Sequence, residues 1–297
     1  MSGALHASKR AIQAAMEDVF GVPMSLGAVP ACEEQVSQAL AEPVAEADRY
    51  VQSQVTAHAD ETGFPLGNRL KGWLWVLATT TAVAFKLQAR RSSQAFGVLL
   101  GSFAGILHTD RWSAYNVFDG LRQLCWAHLK RDFTAISEFG GVTGKLGVEL
   151  LRSTRRMFHW WHRVRDGTMT REEFKAKMRP LSRNVETCLE RVAQRGCRKA
   201  AGMCAKILKQ RAWLWTFVEH EGVEPTNNAA ERAIRPAVLW RKGCFGVQSE
   251  RGRVFVERIL TAQASCRLQK RKLLPFLHQA CLAKLQGTPA PSLLPIG

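Results

Sequence analysis

Strand signals in this 297-residue chain fall in one window, from about residue 54 to 126, and both flanks are spaced for helices. Val55, Ala57 and Ala59 alternate with Thr56, His58 and Asp60, which predicts a strand ending in a carboxylate. Pro65-Leu66-Gly67-Asn68 reads as a hairpin turn, and the runs Leu70 to Ala78 and Ala82 to Leu87 complete an antiparallel meander over about 54 to 88. A helix is expected over about 92 to 103. Gly105 to Asp110 is a short buried strand, again ending in Asp, and Leu121 to Trp126 is a fifth strand after a short helical link. A crossover helix can lay the fourth strand beside the first, in parallel, so that Asp60 and Asp110 emerge at one sheet edge. The order predicts an α/β fold: a mixed five-stranded sheet flanked by helices and interrupted by an all-helical insertion.

Ahead of the window, Ile12, Met16, Val19 and Phe20 share one helical face, and Gly21-Val22-Pro23 stops that helix. A second helix is expected from Ser25 and a third over about 34 to 52. From about 129 to 222 the sequence is helical and strongly charged, with Trp160, Trp161, Trp213 and Trp215 as core anchors. Helix returns at Thr226 to Arg235, closed by Pro236. A loop bearing Gly243, Gly246 and Gly252 then leads to helices over about 253 to 270 and 273 to 285, and the Pro-rich tail from Gly287 is expected to be disordered. The expected organisation is an N-terminal helical segment (1–52), a first core part (53–128), a basic helical insertion (129–222), closing helices (223–270), and a C-terminal helix and tail (271–297).

Charge is divided along the chain. Residues 1 to 120 hold 9 Lys+Arg and 11 Asp+Glu, the remaining 177 hold 33 and 14, and the whole is +17. A basic surface concentrated in the C-terminal part suits a phosphate backbone, although solvated Arg-rich helix faces would give the same count. The most apolar stretches fall short of the 18 residues a membrane span needs, and no export signal is recognisable, so a cytoplasmic, nucleoid-associated protein is expected. Eight cysteines include no C-x-x-C pair, which predicts free thiols and no structural zinc.

Paired carboxylates at strand ends are one way to hold hard divalent cations, although a strand-end Asp is more often a turn or capping residue. The local words sharpen the choice. The chain reads His58-Ala59-Asp60-Glu61-Thr62-Gly63, then Thr109-Asp110-Arg111-Trp112-Ser113-Ala114-Tyr115-Asn116, then Cys125-Trp126-Ala127-His128-Leu129-Lys130-Arg131-Asp132-Phe133. Later come Thr226-Asn227-Asn228-Ala229-Ala230-Glu231-Arg232-Ala233-Ile234-Arg235-Pro236 and Trp240-Arg241-Lys242. Together, over about residues 10 to 285, these resemble the transposases of the insertion sequence 66 family.

The resemblance implies an RNase H-like fold and a DNA transposase that cleaves strands and transfers them. Asp60, Asp110 and Glu231 would be its catalytic residues and would ligate two Mg²⁺ ions, with Mn²⁺ as a substitute. No Ser, Tyr or Cys nucleophile is then needed. Double-stranded DNA at element ends and target is the implied partner, with a homo-oligomer on DNA and small accessory proteins as further partners. Arg111, Trp112 and Tyr115 follow the second Asp, where an aromatic can stack a displaced base and Arg can neutralise backbone. Arg232, Arg235, Arg241 and Lys242 flank the third carboxylate, in a segment (226–272) with 11 Lys+Arg against 3 acidic residues. Asn227, one helical turn before Glu231, would orient that carboxylate or touch a phosphate. His128 reads as a satisfied core histidine, as half of a zinc site with Cys125, or as an organiser of the site or DNA. The family usually carries a coiled coil and a cysteine-rich element ahead of this region, for which residues 1–52 offer no counterpart. The alternative reading is therefore a truncated, catalytically unproductive DNA-binding remnant or regulator of an intact copy.

Overall fold

The computed structural model describes residues 1–67 and 70–295. Four helices precede the sheet: α1 (Ser2–Leu5), α2 (Lys9–Asp18), α3 (Ala28–Ala39) and α4 (Ala41–Gln52). β1 (Thr56–Pro65), β2 (Lys71–Ala78), β3 (Val83–Gln88), α5 (Ser93–Leu100), β4 (Ile106–Thr109), a 3-10 turn at Ser113–Val117 and β5 (Arg122–Leu124) follow. Then come α6 (Trp126–Ser137), α7 (Gly141–Arg165), α8 (Arg171–Arg195), α9 (Arg198–Leu208) and α10 (Thr216–Glu219). The chain closes with α11 (Asn228–Gly243), α12 (Glu250–Leu268) and α13 (Leu273–Gln286).

The strands form one sheet in the order β3-β2-β1-β4-β5. β1 and β2 are antiparallel with Asp60 opposite Val76, β2 and β3 are antiparallel, and β4 and β5 are parallel with Leu107 opposite Arg122. The α/β class, the mixed five-stranded sheet and the helical insertion are those of the RNase H-like expectation. Three details differ. Asp60 lies in the middle of β1, because the strand runs on through Thr62 and Phe64 to Pro65. β5 stops at Leu124, and Trp126 opens α6. The helix expected over 34 to 52 is two helices broken at Leu40, since Pro43 has no N–H to continue the ladder. The expected turn at Pro65–Asn68 includes residue 68, which lies outside the described residues.

Two compact units divide the chain: residues 1–105, 113–119 and 228–297 form the first, 106–112 and 120–227 the second. The first packs α11 and α12 over the meander, burying Leu74, Val76, Phe85, Ile234, Ala237 and Ile259. Among the described residues no further strand pairs with its edge strand β3, and α12 closes the ladder with side chains. Val83 N donates to Ser265 Oγ (3.0 Å), Phe85 N to Thr261 Oγ1 (3.2 Å) and Leu87 N to Glu257 Oε1 (2.8 Å). The helix advances about 6 Å per four residues and the strand nearly 7 Å per two, so the spacings match. Of the N-terminal face only Ile12 is buried; Val19 and Phe20 are exposed. α11 continues through Pro236, and the Arg232 carbonyl that lacks a proline N–H accepts instead from Arg267 Nη2 at 2.8 Å. The described part of the tail is packed, against the expectation of disorder: Leu293 is fully buried, its carbonyl accepts from Gln269 Nε2, and Ser292 bonds Glu46.

The second unit is β4 and β5 with the helices α6 to α10. Trp126, Leu129, Phe133, Leu150, Met157, Phe174 and Leu189 fill its core. Trp161 is buried, whereas Trp160, Trp213 and Trp215 pack against the core only in part. Two glycines set the approach of α7 to the end of α6. A Cβ at Gly144 would sit 1.9 Å from Phe139 O, and one at Gly147 2.4 Å from Ser137 N. Thr170 and Glu173 form a capping box that starts α8. All eight cysteines are free thiols. Among the described residues no helix is long and apolar enough to cross a membrane.

Candidate functional site

In the first unit, the half-buried Asp60 sits on β1 with Oδ1 accepting from Glu61 N at 2.9 Å. Alternation places Glu61 on the opposite face, where its carboxylate is 3% exposed, accepts from Tyr115 Oη and pairs with Arg91. Tyr115 is accordingly a core residue. It is fully buried and meets Phe96 edge-on at 4.9 Å and Trp75 at 6.3 Å, so the expected base stacking there is corrected: no face of the ring reaches solvent. Glu231 lies half-buried in the first turn of α11, where the helix dipole favours a carboxylate.

On the same helix Arg232, Arg235 and Lys242 are exposed. Arg241 is partly turned inward and donates from Nη1 to Gly63 O at 2.8 Å, tying the helix end to β1 three residues from Asp60. It serves β1 before it can serve a phosphate.

In the second unit, Asp110 is the first residue after β4, and Oδ1 accepts from Trp112 N at 2.8 Å, closing an Asx turn. Arg122, on β5, is a fully buried arginine that the sequence reading did not single out. Its Nη2 donates to Thr109 Oγ1 at 2.7 Å and to the Asp110 carbonyl at 3.3 Å, and its guanidinium lies 4.5 Å from the Trp213 ring centroid. Thr109 Oγ1 also donates to the Asp110 carbonyl, at 2.7 Å. The backbone that carries Asp110 is therefore gripped by two side chains. No periodicity marks a buried Arg in a three-residue strand that is buried at every position.

Arg111 pairs with Asp132 of α6 and so is engaged within the protein. Burial pushes the Asp132 carboxyl up from its ordinary pKa, outweighing the opposing pull of Arg111, His128 and Arg131. Trp112 and His128 are half-buried. Cys125, at the head of α6, is buried, and its Sγ accepts from Asn227 N at 3.2 Å. Asn227 is only 1% exposed, which corrects the expectation that it touches a phosphate. The expected DNA-facing set thus reduces to Arg232, Arg235 and Lys242 at exposed positions, with Arg111, Trp112, Arg241 and His128 partly enclosed.

Comparison with known proteins places the chain in a family. The family model described as "Transposase IS66 family" matches residues 7–254, which include Asp60, Asp110 and Glu231. The chain is also similar to the uncharacterized protein y4qI of Sinorhizobium fredii (strain NBRC 101917 / NGR234), with 28% identity over 263 residues. That similarity covers 78% of this chain and 48% of the relative, so the chain spans about half the length of the curated relative it matches.

Proposed function

Since this chain belongs to the transposase IS66 family, we propose that it cleaves DNA strands and transfers them, with Asp60, Asp110 and Glu231 as its catalytic carboxylates. The observation that carries this reading is a family match running through all three, each of them half-buried and reachable from solvent. Their donors are hard carboxylate oxygens, the ligand type suited to Mg²⁺ or Mn²⁺, so the donor set fits two divalent ions. When bound, such ions supply activation of a water or 3′-hydroxyl for in-line attack and neutralisation of the departing oxygen.

The rest is work for the protein's own groups. The Glu61 and Trp112 amides fix one oxygen each of Asp60 and Asp110. Arg122 and Thr109 hold the Asp110 backbone in place. Arg232, Arg235 and Lys242 supply exposed positive charge for backbone phosphates, and the double-stranded DNA they meet is the proposed substrate.

The test is cleavage and joining of labelled duplex DNA in Mg²⁺ or Mn²⁺, wild type against Asp110→Asn. Metal-dependent products from the wild type alone are expected, with DNA binding that weakens steeply as salt rises in both proteins. Salt-sensitive binding without products in either protein would replace this reading with that of a DNA-binding regulator.

A further inference from the structure

A cavity of about 640 Å³ lies in the first unit among the N-terminal residues, α3 and the segment joining α11 to α12. Phe64, Trp240, Phe245 and Phe255 line it. Trp240 meets Phe64 edge-on at 6.0 Å and lies parallel to the His6 ring at 5.6 Å. Phe245 is 95% exposed, so this large ring contributes nothing to the core and is available to a ligand. His6 Nε2, also on the lining, is shielded from water and has no hydrogen-bond partner among the described residues, a deficit that a bound molecule can satisfy. Burial lowers the His6 pKa, so the ring is neutral at neutral pH and offers one donor and one acceptor. Arg251, at the N-terminal turn of the 19-residue α12, adds a cation to the same lining.

Aromatic walls, an unsatisfied polar nitrogen and a cation match a ligand that joins a flat heteroaromatic ring to an anion. We infer that this cavity receives an unstacked nucleotide of the DNA partner, its base against Phe245 and its phosphate toward Arg251. The inference rests on the proposal above that DNA is the partner. The size is that of a small-molecule site, about 300–1,000 Å³, and larger than one base needs. The lining also holds Glu34 and the Lys9–Glu33 pair, while the segment that supplies Trp240, Phe245 and Arg251, residues 226–272, carries 11 Lys+Arg against 3 acidic residues, which favours a nucleotide over a lipid or a neutral peptide. Extrusion from a duplex is costly but least so for an unpaired base, and stacking on protein rings repays it without regard to sequence.

The probe is a duplex carrying one unpaired 5-iododeoxyuridine, compared with the fully paired duplex. The unpaired duplex is expected to bind about tenfold more tightly, and irradiation is expected to crosslink it to a peptide containing Phe245. Phe245→Ala, which alters an exposed side chain and leaves the core intact, should abolish both the preference and the crosslink at that site while affinity for the paired duplex stays constant. Crosslinks confined to other segments, or a preference that survives in Phe245→Ala, would overturn the nucleotide pocket and leave the DNA-binding reading standing. Absence of binding to either duplex would overturn both.

Discussion

Asp60 lies on a strand and Asp110 directly after one, and the two units hold them by different means. Asp60 lies inside a ten-residue strand, where a run of backbone pairs with β2 fixes its position whatever the neighbouring side chains are. Asp110 lies just past a four-residue strand, and side chains take over: Arg122 and Thr109 grip its carbonyl while the Trp112 amide sets its carboxylate. A ladder spreads its hold over many bonds and tolerates the loss of one. A grip by two side chains, one of them a buried cation, concentrates the hold and makes it breakable by a single substitution.

The largest expected effect tests whether both aspartates belong to one chemical centre at all. Asp60→Asn, Asp110→Asn and Glu231→Gln should each lower strand cleavage by about a thousandfold or more. DNA affinity should stay equal or rise, because a carboxylate that repels phosphate is gone. Full activity in any one of the three would remove that residue from the centre, and loss of DNA binding in all three would assign them to folding or binding.

Next in size is the contrast itself. Arg122→Met should reduce cleavage about 10- to 100-fold, the usual cost of losing a group that orients a metal ligand. The divalent-ion concentration needed for half-maximal activity should rise, and DNA affinity should hold constant. Val76→Ala, opposite Asp60, should leave that ion requirement unchanged, because the β1–β2 backbone pairs remain. An Arg122→Met protein that loses stability but keeps the wild-type ion requirement would make Arg122 a purely structural residue.

Much of this architecture was legible in the sequence because it depends on local patterns. Alternation marked β1, apolar runs marked β2, β3 and the short buried β4, and their order implied the sheet. The misjudged points are those where a tertiary partner overrides a local signal. β1 looked finished at Asp60 because the burial pattern slips by one residue at Asp60-Glu61, the outward and inward phases trading places before Thr62 and Phe64. Pro236 looked like a helix end, but Arg267, 31 positions further on, satisfies the carbonyl it orphans. The tail looked disordered until Leu293 found a place in the core. Of the proposed site, the three carboxylates come from words that resemble those of the family. The burial of Tyr115, Asn227 and Arg122 could not be read from words, since each depends on what packs over it.

The ladder that holds Asp60 ends at β3, so its outer support can be broken without touching the site. Thr261→Val keeps shape but removes the acceptor for Phe85 N, leaving a buried amide without a partner at a cost of about 1–3 kcal/mol. Thermal unfolding should register that loss, and amide exchange at Phe85 should accelerate.

The smallest expected effect concerns Glu257, the third member of the same stripe. Burial raises its carboxyl above the ordinary 4.5, more than the Leu87 N–H bond and the nearby Lys86 and Arg253 lower it. A group raised on folding contributes stability that is complete below its unfolded pKa and is lost as pH climbs through the folded value. Glu257→Gln still offers Leu87 N an acceptor, without a charge to desolvate. The melting temperature of the variant relative to wild type should therefore be lowest below about pH 4.5 and rise toward neutral pH, where the variant is the more stable protein. A loss at neutral pH as large as that of Thr261→Val would show that the charged bond to Leu87 N outweighs the burial of the carboxylate, and that the support beneath Asp60 is itself held by a charge, as Asp110 is by Arg122.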